Sequence, residues 1–306
     1  MKILVFHQPF PMGNYLLNQV VANHLQSQGH EVYVLEQLNG RPCTPEYMQQ
    51  ILDADFDVCY FEMLDHETFK IVERLKCKRI LLFASAGVLG EYDKILNYHS
   101  VWYDMILTNS LQMYKKFVKH GIEAEHFEFY HSVINTPQPP STKSMYEHDC
   151  VFLGMGFNRL KDSQYQLERD LYFSSDKISL FGNGWPQMSN YYGVLPPDDI
   201  GSLYSSARSA IGIIAKTQRE HGMINNRYTE IASCACPLIS YNYDSIDWFG
   251  AEKFINFVSS KLEVETLIAD IQERPDEYKQ RALDFQSFIR AKDTEFFQKL
   301  NKMVAL

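Results

Sequence analysis

Short apolar runs alternate with helical stretches along most of this chain, and that alternation admits few folds. Residues 2–6 are continuously apolar after Lys2, the mark of a strand buried on both faces. A turn at 7–15 leads into a helical stretch from Tyr15 to Gln28, Gly29 ends it, and Glu31–Leu35 is the next strand. The pattern continues through a helix at Glu46–Leu52, a strand at Asp57–Phe61, a helix at 67–76 and a strand at Arg79–Phe83. A small-residue loop at 84–94 precedes a strand at Trp102–Thr108, a helix at Leu111–His120 and a strand at Glu125–Tyr130. A strand–helix alternation repeating roughly every 25 residues predicts a doubly wound parallel sheet. In such sheets the loops at the carboxyl ends of the strands carry the sites.

The one clear break in composition is HSVINTPQPPSTKSMYEHD, residues 131–149, with three prolines. It reads as a linker between an N-terminal domain, 1–130, and a C-terminal domain, 150–306. The second domain opens with a strand at Cys150–Leu153 and repeats the α/β pattern. A helix at 163–172, a strand at Ile178–Phe181, an extended stretch at Gly193–Leu195, a helix at 199–208 and a strand at Ser209–Ile214 follow. Leu238–Ser240 and Phe254–Val258 are further strands, and helices at 262–273 and 276–304 close the chain with Pro275 between them. The last helix carries Phe285, Phe288, Phe296 and Leu300 at core-facing spacing and is expected to pack back on the N-terminal domain. The fold class expected is α/β, two Rossmann-like doubly wound domains facing a cleft. A nucleotide on one wall and an acceptor on the other is what a two-substrate transfer needs.

The chain's 306 residues exceed one ordinary core and suit two domains of about 150 each. A net charge of −9 argues against a general electrostatic grip on nucleic acid, although a local basic cluster exists at Lys115, Lys116, Lys119 and His120. Six cysteines without regular spacing read as reduced core residues of a cytoplasmic protein, with no metal cluster. No apolar run approaches the ~18 residues of a membrane span, and the first residues are too short for a signal segment. Asp53, Asp55 and Asp57 mimic a metal–diphosphate motif, but they precede their strand, at the wrong end of the sheet for a site.

The segment 219–240, REHGMINNRYTEIASCACPLIS, carries the strongest chemical signal. Asn225 and Asn226 are good cap residues, and Arg227 and Glu230 lie three apart on the helix that follows, on one face. Helix N–H groups and Arg227 suit a diphosphate, and Glu230 suits ribose hydroxyls. The competing reading is a surface helix with an i,i+3 ion pair. Gly154-Met155-Gly156, with Arg159 and Lys161 behind it, follows a strand as a phosphate cradle would, without the full GxGxxG. Gly182-Asn183 sits at the end of another strand, and Gly13 precedes the first helix, where ligand approach and ordinary turn geometry are both open.

On these residues the chain resembles GT-B glycosyltransferases. The stretch Asn225 to Ala235 resembles the N-x-R-x-F-E-x-x-A-x-G motif of the CgeB-like glycosyltransferase group; Asn225, Arg227 and Glu230 match, while Thr229, Ser233 and Ala235 replace the aromatic, Ala and Gly. Residues 149–260 are also similar in order of features to phage DNA β-glucosyltransferases. That resemblance implies a nucleotide-sugar co-substrate, with a UDP-hexose as donor, no tightly bound cofactor and no required divalent metal. It implies donor-binding roles for Gly13, Gly154, Met155, Gly156, Arg159, Lys161, Gly182, Asn183, Asn225, Arg227, Tyr228 and Glu230. Glu128 and His131 would lie near the donor sugar. Where the phage enzymes place an Asp base after a strand ending Leu-Phe, this chain has Leu82-Phe83-Ala84-Ser85. Another group must then accept the acceptor's proton: Glu91 is the first choice, with Glu62 and His7 as alternatives.

The leading expectation is a glycosyltransferase acting on an unidentified acceptor: a small molecule, a glycan, a protein or modified DNA. A non-catalytic nucleotide-binding scaffold that has lost its base is the alternative from a different class. A dehydrogenase fits less well, because no acidic residue closes a complete GxGxxG unit.

Overall fold

The computed structural model describes residues 1–7, 14–38, 41–62, 66–83, 102–130, 144–156 and 165–305; the side chains of 14–17, 66 and 144 are outside that description. The chain forms two compact units, Met1–Val133 with Thr294–Leu306, and Ile134–Asp293.

The first unit is built on β1 (Lys2–His7), α1 (Asn14–Ser27), β2 (Glu31–Glu36), α2 (Pro45–Asp53), β3 (Val58–Phe61) and α3 (His66–Val72). It continues with β4 (Lys78–Phe83), β5 (Met105–Thr108), α4 (Leu111–Lys119) and β6 (Glu123–His126). The strands form one parallel sheet in the order β2-β1-β3-β4-β5-β6. The chain starts in the middle at β1, goes outward to β2, and returns to the other side at β3. The strand order therefore reverses between β1 and β3, the topological switch point where open α/β sheets bind ligands. The central strands β3 and β5 are buried along their whole length, as a sheet covered on both faces requires. Helix starts are fixed locally: Thr44 caps α2 by accepting from Tyr47 N at 3.2 Å, and Ser110 caps α4 by accepting from Met113 N at 3.1 Å.

The second unit comprises β7 (Val151–Leu153), α5 (Gln166–Glu168) running into a π-helical turn at Arg169–Phe173, β8 (Ser179–Phe181), α6 (Ile200–Ser206) and β9 (Ala210–Gly212). Then come α7 (Lys216–Glu220), α8 (Asn226–Ser233), β10 (Leu238–Tyr241), β11 (Asn256–Val258), α9 (Lys261–Glu273) and α10 (Pro275–Ala305). Its sheet is also parallel, ordered β11-β10-β9-β7-β8, and reverses between β7 and β9. Two such sheets are the doubly wound Rossmann-like pair expected from the alternation.

Several boundaries differ from the sequence reading. The last strand of the first unit is Glu123–His126, not Glu125–Tyr130. The aromatics Phe127, Phe129 and Tyr130 are buried core residues lying just past an edge strand that is itself only partly buried. Pro275 opens α10 rather than separating two helices, in keeping with proline's tolerance in a first helical turn. The short helix α7 went unpredicted, because five residues carry no readable period. Gly193–Leu195 joins no strand; the nearby Tyr191 makes a single bridge to Leu180.

Helix α10 begins in the second unit, and its residues from Thr294 belong to the first. There Phe296, Leu300, Met303 and Val304 enter one buried cluster with Ile3, Val5, Val21, Leu25, Tyr60 and Leu107. Phe296 meets Phe127 edge-on, with ring centroids 5.0 Å apart. All six cysteines are free. Among the described residues no helix is long and apolar enough to cross a membrane. Phe296→Ala is expected to lower stability by about 3–5 kcal/mol, the usual cost of emptying a buried aromatic site. An earlier urea transition measures it; an unchanged midpoint would contradict this placement of the helix end.

Candidate functional site

In the second unit the carboxyl ends of β7 and β8 carry two glycine turns pressed against each other. Gly154 N donates to Phe181 O at 2.9 Å, and Gly156 N donates to Asn183 O at 2.8 Å. Trp185 Nε1 donates to Gly154 O at 2.7 Å, and Tyr191 OH donates to Gly182 O at 2.9 Å. The approach is too close for side chains. A Cβ on Gly182 would lie 2.3 Å from Gly154 O, and Gly182 holds a φ of +113°, a conformation that glycine alone adopts at low cost. A Cβ on Gly156 would lie 2.7 Å from Gly184 O.

Helix α8 begins beside these turns. Asn225 caps it, Oδ1 accepting from Arg227 N at 2.9 Å, while Asn225 Nδ2 donates to Gln218 Oε1 at 3.3 Å. The Gln218 Oε1 atom also accepts from Ala215 N at 3.1 Å, so α7 fixes the cap in place. Arg227 lies over the Phe152 ring, Cζ 5.2 Å from its centroid. One guanidinium nitrogen would be 3.0 Å from a Cβ on Gly154, so Arg227 reaches the first glycine turn. Its Nε is out of solvent and finds no acceptor among the described residues. One turn further, buried Glu230 accepts from Asn226 Nδ2 at 2.8 Å. Burial raises the Glu230 pKa above the ordinary carboxylate range, against the opposing pull of Arg227 and the Asn226 hydrogen bond. A half-buried cation with an unused donor, two bare backbone turns and a carboxylate thus share one end of the sheet. Together they suit a ligand with both anionic oxygens and hydroxyls.

Gly154, Gly156, Gly182, Asn183, Asn225, Arg227 and Glu230 therefore lie on the carboxyl-end turns and on the α8 turn that opens beside them. Met155 is exposed in the first turn. Tyr228 is placed differently: it is fully buried, shares a 2.5 Å hydrogen bond with Ser240 Oγ and packs against Gly212. Successive residues of a helix are turned about 100° from one another, and the residue after Arg227 falls on the face that packs into the core. Phe152, Trp185, Tyr191 and Gln218 support the turns without having been singled out from the sequence. The Gly-Asn-Gly-Trp-Pro stretch held the one available signal for Trp185. Gly13, Glu91, His131, Arg159 and Lys161 lie outside the described residues.

In the first unit, His7 ends β1 and Glu62 follows β3, on the two strands that flank the switch point. Glu128 is half-buried two residues past β6. Glu62 is buried, and among the described residues neither carboxylate oxygen has a hydrogen-bond partner. Burial alone pushes its pKa from 4.5 up to about 8.

Comparison with known sequences and structures fits this geometry. Residues 161–294, which include Arg227 and Glu230, match the family described as Glycosyl transferase-like. The two Rossmann-like parallel sheets give the chain the GT-B fold. It is similar in fold to a T4 phage β-glucosyltransferase variant in complex with UDP-glucose, at 15% identity and a TM-score of 0.69 over 100% of both chains. It is also similar to the sucrose-phosphate synthase of Thermosynechococcus elongatus, at 10% identity and a TM-score of 0.66, covering 100% of this chain and 99% of that one. The Anabaena protein HepE, solved with UDP-glucose, has 12% identity and a TM-score of 0.61 over 99% of this chain and 100% of its own. Comparison with curated protein sequences finds no match.

The buried Glu62 has a consequence for stability. The folded state holds its proton up to about pH 8, whereas the unfolded chain releases it near 4.5, so stability falls as pH rises through that window. Glu62→Gln removes this dependence. Relative to the parent, the variant should gain on the order of 4 kcal/mol between pH 4.5 and pH 8, measured by urea unfolding at several pH values. Parallel pH–stability curves for the two proteins would contradict the buried, unpaired carboxyl.

Proposed function

We propose that the chain transfers a hexosyl group from a UDP-sugar to an acceptor hydroxyl, with the second unit holding the donor. The observation that carries this reading is the Arg227 guanidinium, its Nε unpaired, set against the Gly154 turn with Glu230 one helical turn away. Arg227 and the backbone N–H groups of the turns meet the diphosphate, and Glu230 accepts from the ribose hydroxyls. As the bond between the sugar and the diphosphate breaks, negative charge grows on the leaving oxygen, and the fixed cation stabilises it. The relatives solved with UDP-glucose support the donor class. A relative solved with UDP and Mn2+ leaves a metal's part in this reaction to experiment.

Arg227→Ala is expected to weaken UDP binding roughly 10- to 100-fold, the value of one or two charge-assisted hydrogen bonds, with the fold intact. Glu230→Ala should lower affinity for UDP more than for pyrophosphate, which has no ribose. Titration calorimetry reads both, and wild-type affinity in Arg227→Ala would remove the donor site from this helix.

A second reading of the acceptor rests on the T4 relative, described as a DNA-modifying enzyme. Lys115, Lys116, Lys119 and His120 form an exposed basic strip along α4 and its end, against an overall charge of −9. Duplex DNA carrying hydroxymethylated cytosine should then bind with an affinity that falls steeply between about 50 and 200 mM salt. No binding at low salt would leave a small molecule, glycan or protein as acceptor.

A further inference from the structure

The first unit contains a group of buried polar atoms that the donor site does not use. Asn18, on the face of α1 that also buries Val21, Ala22 and Leu25, donates Nδ2 to Phe6 O at 3.2 Å, and its Oδ1 receives nothing. The Tyr60 hydroxyl and both Glu62 oxygens are likewise buried and unpaired. Val5 of β1 and Tyr60 of β3 are register partners on the sheet face that α1 covers, and Glu62 follows two residues on. The charge of Glu62 is felt by Tyr60 and by Tyr130, which joins the same buried cluster. These atoms gather at the carboxyl ends of β1 and β3, where the strand order reverses.

Leaving one buried polar group unsatisfied costs about 1–3 kcal/mol, and native proteins retain few of them. A cluster at a switch point calls for a reason beyond packing. We propose that Glu62 takes the proton from the acceptor hydroxyl, at an acceptor site that the first unit builds between β1 and β3. This rests on the UDP-sugar reading for its donor. A hydroxyl group both donates and accepts, so it satisfies the Glu62 carboxylate and the Tyr60 O–H together, while Asn18 Oδ1 takes a second donor. In the transfer, the acceptor O–H bond breaks and the proton passes to a Glu62 oxygen. The freed lone pair forms the new bond to the anomeric carbon. The bond from that carbon to the diphosphate oxygen breaks, and the nucleoside diphosphate leaves with the electron pair.

A carboxyl that ionises near pH 8 is well matched to this work, because a stronger base removes a hydroxyl proton more readily. Among the described residues, the titratable groups that sense it are Tyr60 and Tyr130, both neutral over the working range.

The test follows UDP release from UDP-glucose by the full-length chain, with water as the probe acceptor, from about pH 5.5 to 9. The wild-type rate should climb about tenfold per pH unit and level near pH 8. Glu62→Gln should release UDP at least ~100-fold more slowly and lose the climbing limb, with UDP affinity within about twofold of wild type. Glu62→Asp, which keeps a carboxylate, should retain the limb at a reduced rate and guards against a folding artefact in the Gln variant. A Glu62→Gln protein that keeps both rate and limb overturns the assignment. So does a wild type that binds UDP yet releases none from UDP-glucose at any pH. Failure of the wild type to bind UDP overturns the donor reading instead, and this one with it.

Discussion

A parallel strand has its backbone groups paired on both sides and its two faces covered by crossover helices, which leaves only its ends for chemistry. That constraint shapes both units. Their central strands are largely buried, and the polar residues of interest collect at the carboxyl ends: Glu62 and His7 in one unit, the glycine turns and the start of α8 in the other. Each collection falls where its sheet reverses direction, because there two neighbouring crossovers run to opposite faces and their loops part.

The two sites solve opposite electrostatic problems. In the second unit a cation is kept close to bare backbone, steadied from below by the Phe152 ring and from the side by the Asn225–Gln218 cap. The glycines matter there by what they lack, since a single methyl on Gly154 or Gly182 would meet backbone or the guanidinium itself. In the first unit a carboxyl is taken out of water, and burial raises its proton affinity. On the proposed reading the cation meets the departing diphosphate and the carboxyl takes the acceptor's proton.

Much of this was legible in the sequence. The strand cores at 2–6, 57–61 and 79–83 stand out as apolar runs, and the structure extends or trims them by one or two residues. The Arg227–Glu230 spacing marked the helix turn, and Asn225 marked its cap. The burial of Glu62 was not legible, because a glutamate after a strand looks the same in sequence whether it meets water or the core. Nor was the inward placement of Tyr228, which sits between two site residues and was grouped with them. Edge strands were placed poorly for a related reason: β6 has little apolar content of its own, and the aromatics beside it drew the assignment along the chain.

The closing segment of α10 supplies four side chains to the interior of the first sheet, which otherwise draws on the opening 130 residues. During translation that sheet stays partly uncovered until residues 294–304 have emerged, by which point the later unit already has its full complement of strands. The strands made first are thus covered last, and until then their apolar faces are open to non-native association.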